Sequence, residues 1–206
     1  DKGTLDYLEE CAREAGINTC SLAMADIGSD DQGRFTDLDE RPITALVKLY
    51  PWEWIMAEDF GRLVPASGVH FIEPPWKMIL ANKGLLPLLW GMFEGHPNLL
   101  PAFFEDDPAA ATLAETGRYV HKPMLSRQGA NIEIVDDGKT LLHTDGPYGD
   151  DAHILQGYHP LTEFDGGYPL IGCWMVASKA VGLCIREDKT LITGKEARFV
   201  PHVIQD

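Results

Sequence analysis

Positive charge is scarce in this sequence: 17 Lys and Arg stand against 32 Asp and Glu in 206 residues, a formal net charge of −15. Nucleic-acid phosphates are gripped by clustered Lys and Arg, so a nucleic-acid partner is not expected. Long apolar runs are missing as well. The most apolar region, Met78–Phe93, is interrupted by Asn82, Lys83, Gly84 and Pro87. It falls short of the roughly 18 uninterrupted apolar residues that mark a membrane span, and it reads as a core helix. Cysteine is sparse: Cys11, Cys20, Cys173 and Cys184 form no CxxC pair of the zinc or redox kind, which suits a reducing, cytoplasmic setting. Cys173 and Cys184 lie in apolar strand-like runs, where buried inert thiols are expected, and nothing sets a cysteine in a reactive environment. No G-x-S-x-G elbow, Walker A sequence or G-x-G-x-x-G occurs. No repeat and no secretory leader are visible. The chain opens on Asp1 rather than Met, as an excised or processed piece would.

What is present changes character along the chain. Residues 1–40 carry eleven acids and three bases, which suits a cationic substrate and equally a solvated acidic face. Thr4 is a candidate N-cap for a first helix with Leu5, Leu8, Cys11, Ala12 and Ala15 on one side and Gly16 closing it. Ile17–Ile27 and Ile43–Leu49 read as strands around an acidic loop or hairpin at Ser29–Asp39, giving an early α/β layer. Later runs are strand-like: Tyr119–Pro123, Ala130–Val135, Lys139–His143, His153–His159, Tyr168–Ala177, Ala180–Arg186 and Ala197–Ile204. Turn chemistry at Asp136–Gly138, Asp165–Gly167 and Ser178–Lys179 makes this half antiparallel. Asp106-Asp107-Pro108 and the alanines after it suggest an exposed connection near residues 105–118.

The strongest local feature runs from Arg118 to Ile134. A strand ends in Lys122–Pro123, a short polar loop follows, and a second strand resumes. Backbone N–H groups of such a loop can converge on an anion, and Gly129 and Ala130 would let a phosphate approach closely. Lys122 and Arg127 supply positive charge. A plain hairpin with both cations solvated explains the spacing equally well. Lys83 heads the apolar segment Leu85–Phe93, where a cation is mildly unfavourable unless it reaches an anion; a surface lysine is the simpler reading. Arg186 ends an apolar strand and can clamp a phosphate or carboxylate, or pair with Glu187 or Asp188. His143, His153 and His159 stand ten and six residues apart, without helical zinc-pair spacing, and no metal ligand is assigned to them.

At these residues the sequence resembles the synthetase domain of the glutathionylspermidine synthase family, ATP-grasp ligases with permuted subdomains. The resemblance runs in order through Leu46–Trp54 (LVKLYPWEW), Ile72–Lys77 (IEPPWK), Asn82–Trp90 (NKGLLPLLW), His96–Leu100 (HPNLL) and Tyr119–Ile132 (YVHKPMLSRQGANI). It continues through Gly146–Tyr148, Tyr168–Trp174 (YPLIGCW), Gly182–Asp188 (GLCIRED) and Arg198–Ile204 (RFVPHVI). It implies an α+β fold: a small α/β subdomain over residues 1–75, part of a larger domain, and an ATP-grasp nucleotide-binding region over 76–206, mainly antiparallel with few helices. It also implies an activity, in which ATP phosphorylates a peptide carboxylate such as that of glutathione and an amine such as spermidine attacks the acyl phosphate. Carried over by motif position, Lys83 and Lys122 would contact ATP phosphates. The loop Ser126, Arg127, Gln128, Gly129, Ala130 and Asn131 would close over them, Gln156 would lie by the adenine, and Leu191 and Ile192 would line its pocket. Arg186 would stabilise the transferring phosphoryl group.

Three departures qualify the resemblance. The family's Arg-Phe-Asp-Phe-like strand and Leu-Glu-Tyr-Asn-Ala-Asp-like motif, which hold Mg2+, do not occur here. The magnesium ligands are therefore expected upstream, and this piece alone should be catalytically incomplete. The cysteine amidase domain of bifunctional members is absent, and Gln128 stands where relatives often carry an acid. A non-catalytic nucleotide-binding or structural module is the alternative from another class; a histidine-metal hydrolase, which would carry bound zinc, is a third.

Overall fold

Tandem aspartates shape the start of the protein. Asp30 Oδ1 accepts the N–H groups of Gln32 and Arg34 while its Oδ2 holds Arg34 Nε at 2.7 Å. Asp37 repeats the pattern seven residues on, with Asp39, Arg41 and Arg41 Nε at 2.9 Å. These bonds hold both carboxyls below the usual carboxylate range, the Arg34 and Arg41 backbone N–H groups contributing most. The first turn closes the expected hairpin, strand β1 (Gly28–Ser29) against β2 (Phe35–Thr36).

The structure is a computed structural model describing residues 2–149 and 151–204. It divides into two units, residues 1–80 and 81–206. In the first, helix α1 (Lys2–Glu14) begins before Thr4, which therefore lies inside it and is not the cap; no α1 residue is buried. Gly16 closes it at φ 76°, with the Ile17 N–H returning to Ala12 O. Ile17–Ile27 is not a strand. It finds no ladder partner, makes one 3-10 turn at Met24–Asp26, and lends Met24 and Ile27 to the core. Strand β3 (Ala45–Val47) pairs in parallel with β4 (His70–Ile72). Between them helix α2 (Trp52–Ala57) and a 3-10 segment, Asp59–Ala66, pack over an aromatic core of Phe35, Trp52, Ile55, Val64 and Phe71. The Trp52 and Phe71 rings meet edge to face at 5.0 Å.

Met78–Phe93 is two helices rather than one core helix: α3 (Lys77–Ala81) and α4 (Leu85–Met92). Asn82 Oδ1 takes the Gly84 N–H at 2.7 Å, and the Lys83 N–H leaves for Met124 O at 2.9 Å, so the helical ladder stops there. Ile79, Leu80, Leu88, Met92 and Phe93 are exposed. No helix among the described residues is long and apolar enough to cross a membrane.

The second unit is built on β5 (Ala102–Phe104), β6 (Arg118–Pro123), β7 (Glu133–Asp136), β8 (Lys139–His143) and β9 (His153–Gly157). They form one antiparallel sheet in the order β5-β9-β6-β7-β8. The turn from β7 to β8 uses Asp137 at φ 48° and Gly138 at φ 71°, the left-handed pair that a tight hairpin requires. The expected exposed connection at 105–118 is mostly helix α5 (Pro108–Glu115). Asp107 caps it by accepting the Ala109 N–H at 2.8 Å, and Ala110 and Leu113 are buried against Leu155. Of its alanines, Ala110 and Ala114 serve this close packing, while Ala111 is exposed.

A further antiparallel sheet contains β10 (Tyr168–Val176), β11 (Lys179–Asp188) and β12 (Arg198–Phe199). Ala177 and Ser178, both at positive φ, turn β10 into β11. Only Arg198–Phe199 of the expected Ala197–Ile204 run pairs, against Glu187 and Arg186. Cys173 is exposed and Cys184 half-buried, because β10 and the first half of β11 carry their apolar side chains outward. The chain is thus mixed α/β, with mostly antiparallel sheets and few helices.

Candidate nucleotide site on one face of the sheet

Register divides the five-stranded sheet into two chemistries. Val120 lies opposite Gln156 and Lys122 opposite Ile154, and partners in an antiparallel pair share a face while neighbours along a strand alternate. One face therefore presents Val120, Lys122, Ile154 and Gln156; the other presents Tyr119, His121, His153 and Leu155. α5 covers part of the second face through Leu155 and Tyr119.

On the first face Lys122 Nζ donates to Gln156 Oε1 at 2.6 Å, the diagonal contact that this register allows. Burial and, secondly, the nearby Lys83 cation lower the Lys122 pKa from 10.5 to about 8. Lys83 arrives from the break between α3 and α4. Its backbone N–H is fixed on Met124 O just past β6, and its Nζ donates to Ser126 O at 2.7 Å and Ser126 Oγ at 2.9 Å. Gly84 must be small here, since a Cβ would stand 3.3 Å from both Met124 Sδ and Phe104. Two cations and the start of the polar loop therefore meet at one end of β6.

The loop itself is a run of left-handed residues: Gln128 at φ 53°, Gly129 at 74° and Asn131 at 53°. Sequence reading expected Gly129 to open room for a phosphate. The structure gives the glycine a structural reason, because a Cβ there would lie 2.7 Å from Thr193 O and 3.0 Å from Ile192 Cγ2. Gly129 O accepts from Thr144 Oγ1 at 2.6 Å, and Asn131 Oδ1 takes the Tyr148 N–H at 2.9 Å. Thr144, Tyr148 and Thr193 are supports that the sequence did not announce. Gly146, between Thr144 and Tyr148, adds to this support, since a Cβ there would collide with Asn131 and Ala130.

The loop's docking partner leads to the remaining candidates. Ile192 is buried and Leu191 half-buried. Two residues on, Gly194 O accepts from Arg186 Nη2 at 2.6 Å, and Asp188 Oδ2 holds the Gly194 N–H at 2.9 Å. Glu187 pairs instead with Arg198. The alternative that Arg186 serves a salt bridge to Glu187 or Asp188 is thus replaced by a carbonyl clamp. Contacts join Lys83 to the start of the 126–131 loop, Gly129 of that loop to Ile192 and Thr193, and Arg186 to Gly194, while Lys122 holds Gln156 within the field of Lys83. Arg127 also has interactions of its own.

Triphosphate chemistry suits this donor set: buried ammonium, hydroxyl, backbone and guanidinium groups, all cationic or neutral. Magnesium does not. Among the described residues the group of three or more potential metal ligands that gathers is Glu105, His121 and His153. The alternation of β6 puts His121 on the face away from Lys122. His143, His153 and His159, to which the sequence assigned no metal role, do not gather; His153 stacks on His121, whereas His143 lies 3.7 Å from Asp145 and His159 turns to Pro160 O.

Comparison with known proteins agrees with the ordered motifs. The profile described as "Glutathionylspermidine synthase preATP-grasp" matches residues 1–205. A protein of Haemophilus influenzae named "Putative acid--amine ligase" is 40% identical over 210 residues, covering 98% of this chain and 52% of its own length. A trypanothione synthetase of Crithidia fasciculata is 29% identical over 217 residues, covering 94% of this chain and 33% of its own. A bifunctional glutathionylspermidine synthetase/amidase of Escherichia coli is 27% identical over 223 residues, covering 96% and 35%. The chain thus spans about half the length of the first relative and about a third of the other two. With a family match along nearly its whole length, the chain belongs to the glutathionylspermidine synthase family.

Proposed function

We propose that this chain is the nucleotide-binding part of an ATP-dependent acid–amine ligase of permuted ATP-grasp architecture, with residues 1–75 as a substrate-side subdomain and 76–206 as the grasp. The observation that carries this reading is Lys122. A partly buried ammonium beside a second cation, held by an amide oxygen, is electrostatically uncomfortable until an anion joins it. A phosphate group at Lys122 relieves that charge, with the Lys83 ammonium beside it. In this reading Ser126 and the following backbone N–H groups close over it, with Gln156 and Leu191–Ile192 beside the base.

In this reading Arg186 balances the charge that develops as a phosphoryl group moves to a peptide carboxylate. Its clamp on Gly194 O fixes the guanidinium in advance, so no reorganisation is required at the moment of reaction. An amine then attacks the acyl phosphate, forming the amide and releasing phosphate. Magnesium, held by ligands outside this chain, would neutralise β- and γ-phosphate oxygens. The names of the relatives suggest glutathione as acid and spermidine as amine, and the acidic residues 1–40 suit a polyamine. A cytoplasmic setting accords with that chemistry.

The test measures ADP release from the gene product that carries this chain. Release is expected only when a peptide acid and a polyamine are both supplied. Lys122→Ala and Arg186→Ala are each expected to lower turnover by about 100-fold or more. Wild-type turnover in both variants overturns the site assignment, and nucleotide binding without acid- and amine-dependent ADP release favours a non-catalytic module.

A further inference from the structure

The second face of the sheet gathers the side chains that the nucleotide face lacks. His121 and His153 come from neighbouring strands, in register positions two apart on the same face, and their rings stack with centroids 4.5 Å apart and planes 21° apart. Glu105 follows β5 immediately. Its N–H is tied to His153 O at 3.2 Å, and its Oε1 lies 3.0 Å from His121 Nε2. One ligand atom from each of the three lies within 4.8 Å of the others. A cavity of about 270 Å³ opens beside them, lined by Glu105, His121, Glu133, Leu155 and the alanine side of α5.

We propose that Glu105, His121 and His153 form a binding site for one divalent transition-metal ion of the zinc class, on the sheet face opposite Lys122. Two imidazoles and one carboxylate are borderline ligands. They favour zinc and its neighbours over magnesium, which demands a near-octahedral shell of oxygens. Bonds of about 2.0–2.2 Å place neighbouring donors of a tetrahedral site roughly 3.3 Å apart. The Glu105–His121 pair already meets that spacing. The remaining closure falls to the stacked rings: His153 must turn out of its near-parallel stack on His121 so that both ring nitrogens face one ion, and the exposed Glu105 side chain follows.

The surroundings fit the same role. Glu133 Oε2 lies 3.9 Å from His121 Nδ1, on the ring nitrogen away from Glu105. With Nε2 on the ion, a small closing shift would bring Nδ1 into hydrogen-bond range of this carboxylate, the arrangement that fixes tautomer and orientation in zinc sites. Thr140 donates to the other Glu133 oxygen, Oε1, and holds the carboxylate in place. Three protein ligands and an open cavity leave a fourth position for water or a small ligand. The ion would pin β5, β9 and β6 at one end, and β9 and β6 carry Gln156 and Lys122 on their reverse. None of this depends on the ligase reading, since the ligands share no side chain with the nucleotide face.

Calorimetric titration of the chelator-stripped chain, its thiols alkylated, tests the proposal with Zn2+ alone and then with Zn2+ in excess Mg2+. One Zn2+ per chain is expected, undisturbed by Mg2+, with Co2+ giving visible absorption of a low-coordinate site. His153→Asn and Glu105→Gln should each weaken Zn2+ by at least roughly 100-fold. The positioning residue Glu133 is tested by Glu133→Gln, which should cost about 10- to 100-fold. His159→Asn should change nothing, and all variants should bind ATP as the parent does. Glu105→Gln alters an exposed side chain, so it keeps the test decisive if His153→Asn fails to fold. Equal Zn2+ affinity in the parent and Glu105→Gln, or displacement of Zn2+ by Mg2+, overturns the proposal.

Discussion

Each unit of the protein takes a lysine out of water, and the two are treated in opposite ways. The Lys48 side chain is 2% exposed. Its Nζ donates to Tyr50 O at 3.1 Å and Glu73 Oε1 at 3.4 Å, and lies 4.5 Å from the Trp52 ring centroid. Carbonyl, carboxylate and π face together replace the lost hydration. Lys122 meets an amide oxygen and the field of another cation, and its pKa is lowered to about 8. The first lysine is compensated by the fold that buries it; the second meets no such compensation in these contacts, which is why the proposed anion would be drawn to it. Depth of burial alone does not separate the two; the partners that meet each ammonium do.

Exchanging each lysine for methionine pulls these roles apart, with the largest effect expected at Lys122. Removing one partner of a buried, hydrogen-bonded charge pair costs about 2–5 kcal/mol, so Lys122→Met should weaken ATP binding by roughly thirtyfold or more. Its stability should be unchanged or raised, because an uncomfortable charge is gone. Lys48→Met should do the reverse, losing about 2 kcal/mol of stability through the cation–π and hydrogen-bond contacts while ATP affinity holds. Calorimetry and denaturant melts on the same two variants read both quantities. Equal stability losses in the two variants would erase the distinction.

A second contrast lies in how the surroundings are fixed. Lys48 is framed by aromatic side chains, whereas Lys83 and Lys122 adjoin a loop set by backbone geometry. Gly129→Ala attacks only the latter. At φ 74°, with its new Cβ 2.7 Å from Thr193 O, the alanine is strained both in dihedral and in contact. A loss of about 2 kcal/mol is expected, together with weaker ATP binding. Amide exchange should quicken around 126–131 and 191–194 and stay unchanged around Trp52 and Phe71. Uniform quickening across both units would show that the loop is not an independent device.

The contrast between the lysines also marks how far the sequence was legible. Strands of the second unit could be read because period-two alternation and short polar turns act locally; the hairpin at Asp137–Gly138 formed where expected, while the one expected at Ser178–Lys179 turns one residue earlier, at Ala177–Ser178. Ile17–Ile27 misled because apolar residues can anchor a loop to an aromatic core as well as enter a ladder. The alanines of α5 misled because small residues suit both exposed linkers and tight helix packing. Ordered motifs named Lys83 and Lys122 through family resemblance, while spacing alone left Lys122 even with a plain hairpin and read Lys83 as a surface lysine. Their approach is a long-range fact, resting on the diversion of the Lys83 N–H to Met124 O. The Glu105–His121–His153 group stayed invisible for the same reason: its members lie 16 and 32 positions apart, and only the β5-β9-β6 order makes them neighbours.

The smallest expected effect is the most specific to Lys122. Its folded pKa of about 8 lies below the ordinary 10.5, so between those values the unfolded chain holds more protons than the folded one. Stability therefore rises with pH across that window and levels off above it; below about pH 8 the folded protein carries the full cost of the buried charge. A phosphate at Lys122 reverses the balance by favouring the ammonium, so ATP binding takes up a proton. ATP affinity should accordingly fall as pH climbs through 8, by up to tenfold per unit, well above the phosphate's own titration near pH 6. Tyrosines and other lysines titrate in the same range, so the informative quantity is the difference between wild type and Lys122→Met. Both slopes should flatten in the variant, whereas Lys48→Met should retain them. A variant that keeps the wild-type pH dependence of ATP binding would remove Lys122 from the phosphate site.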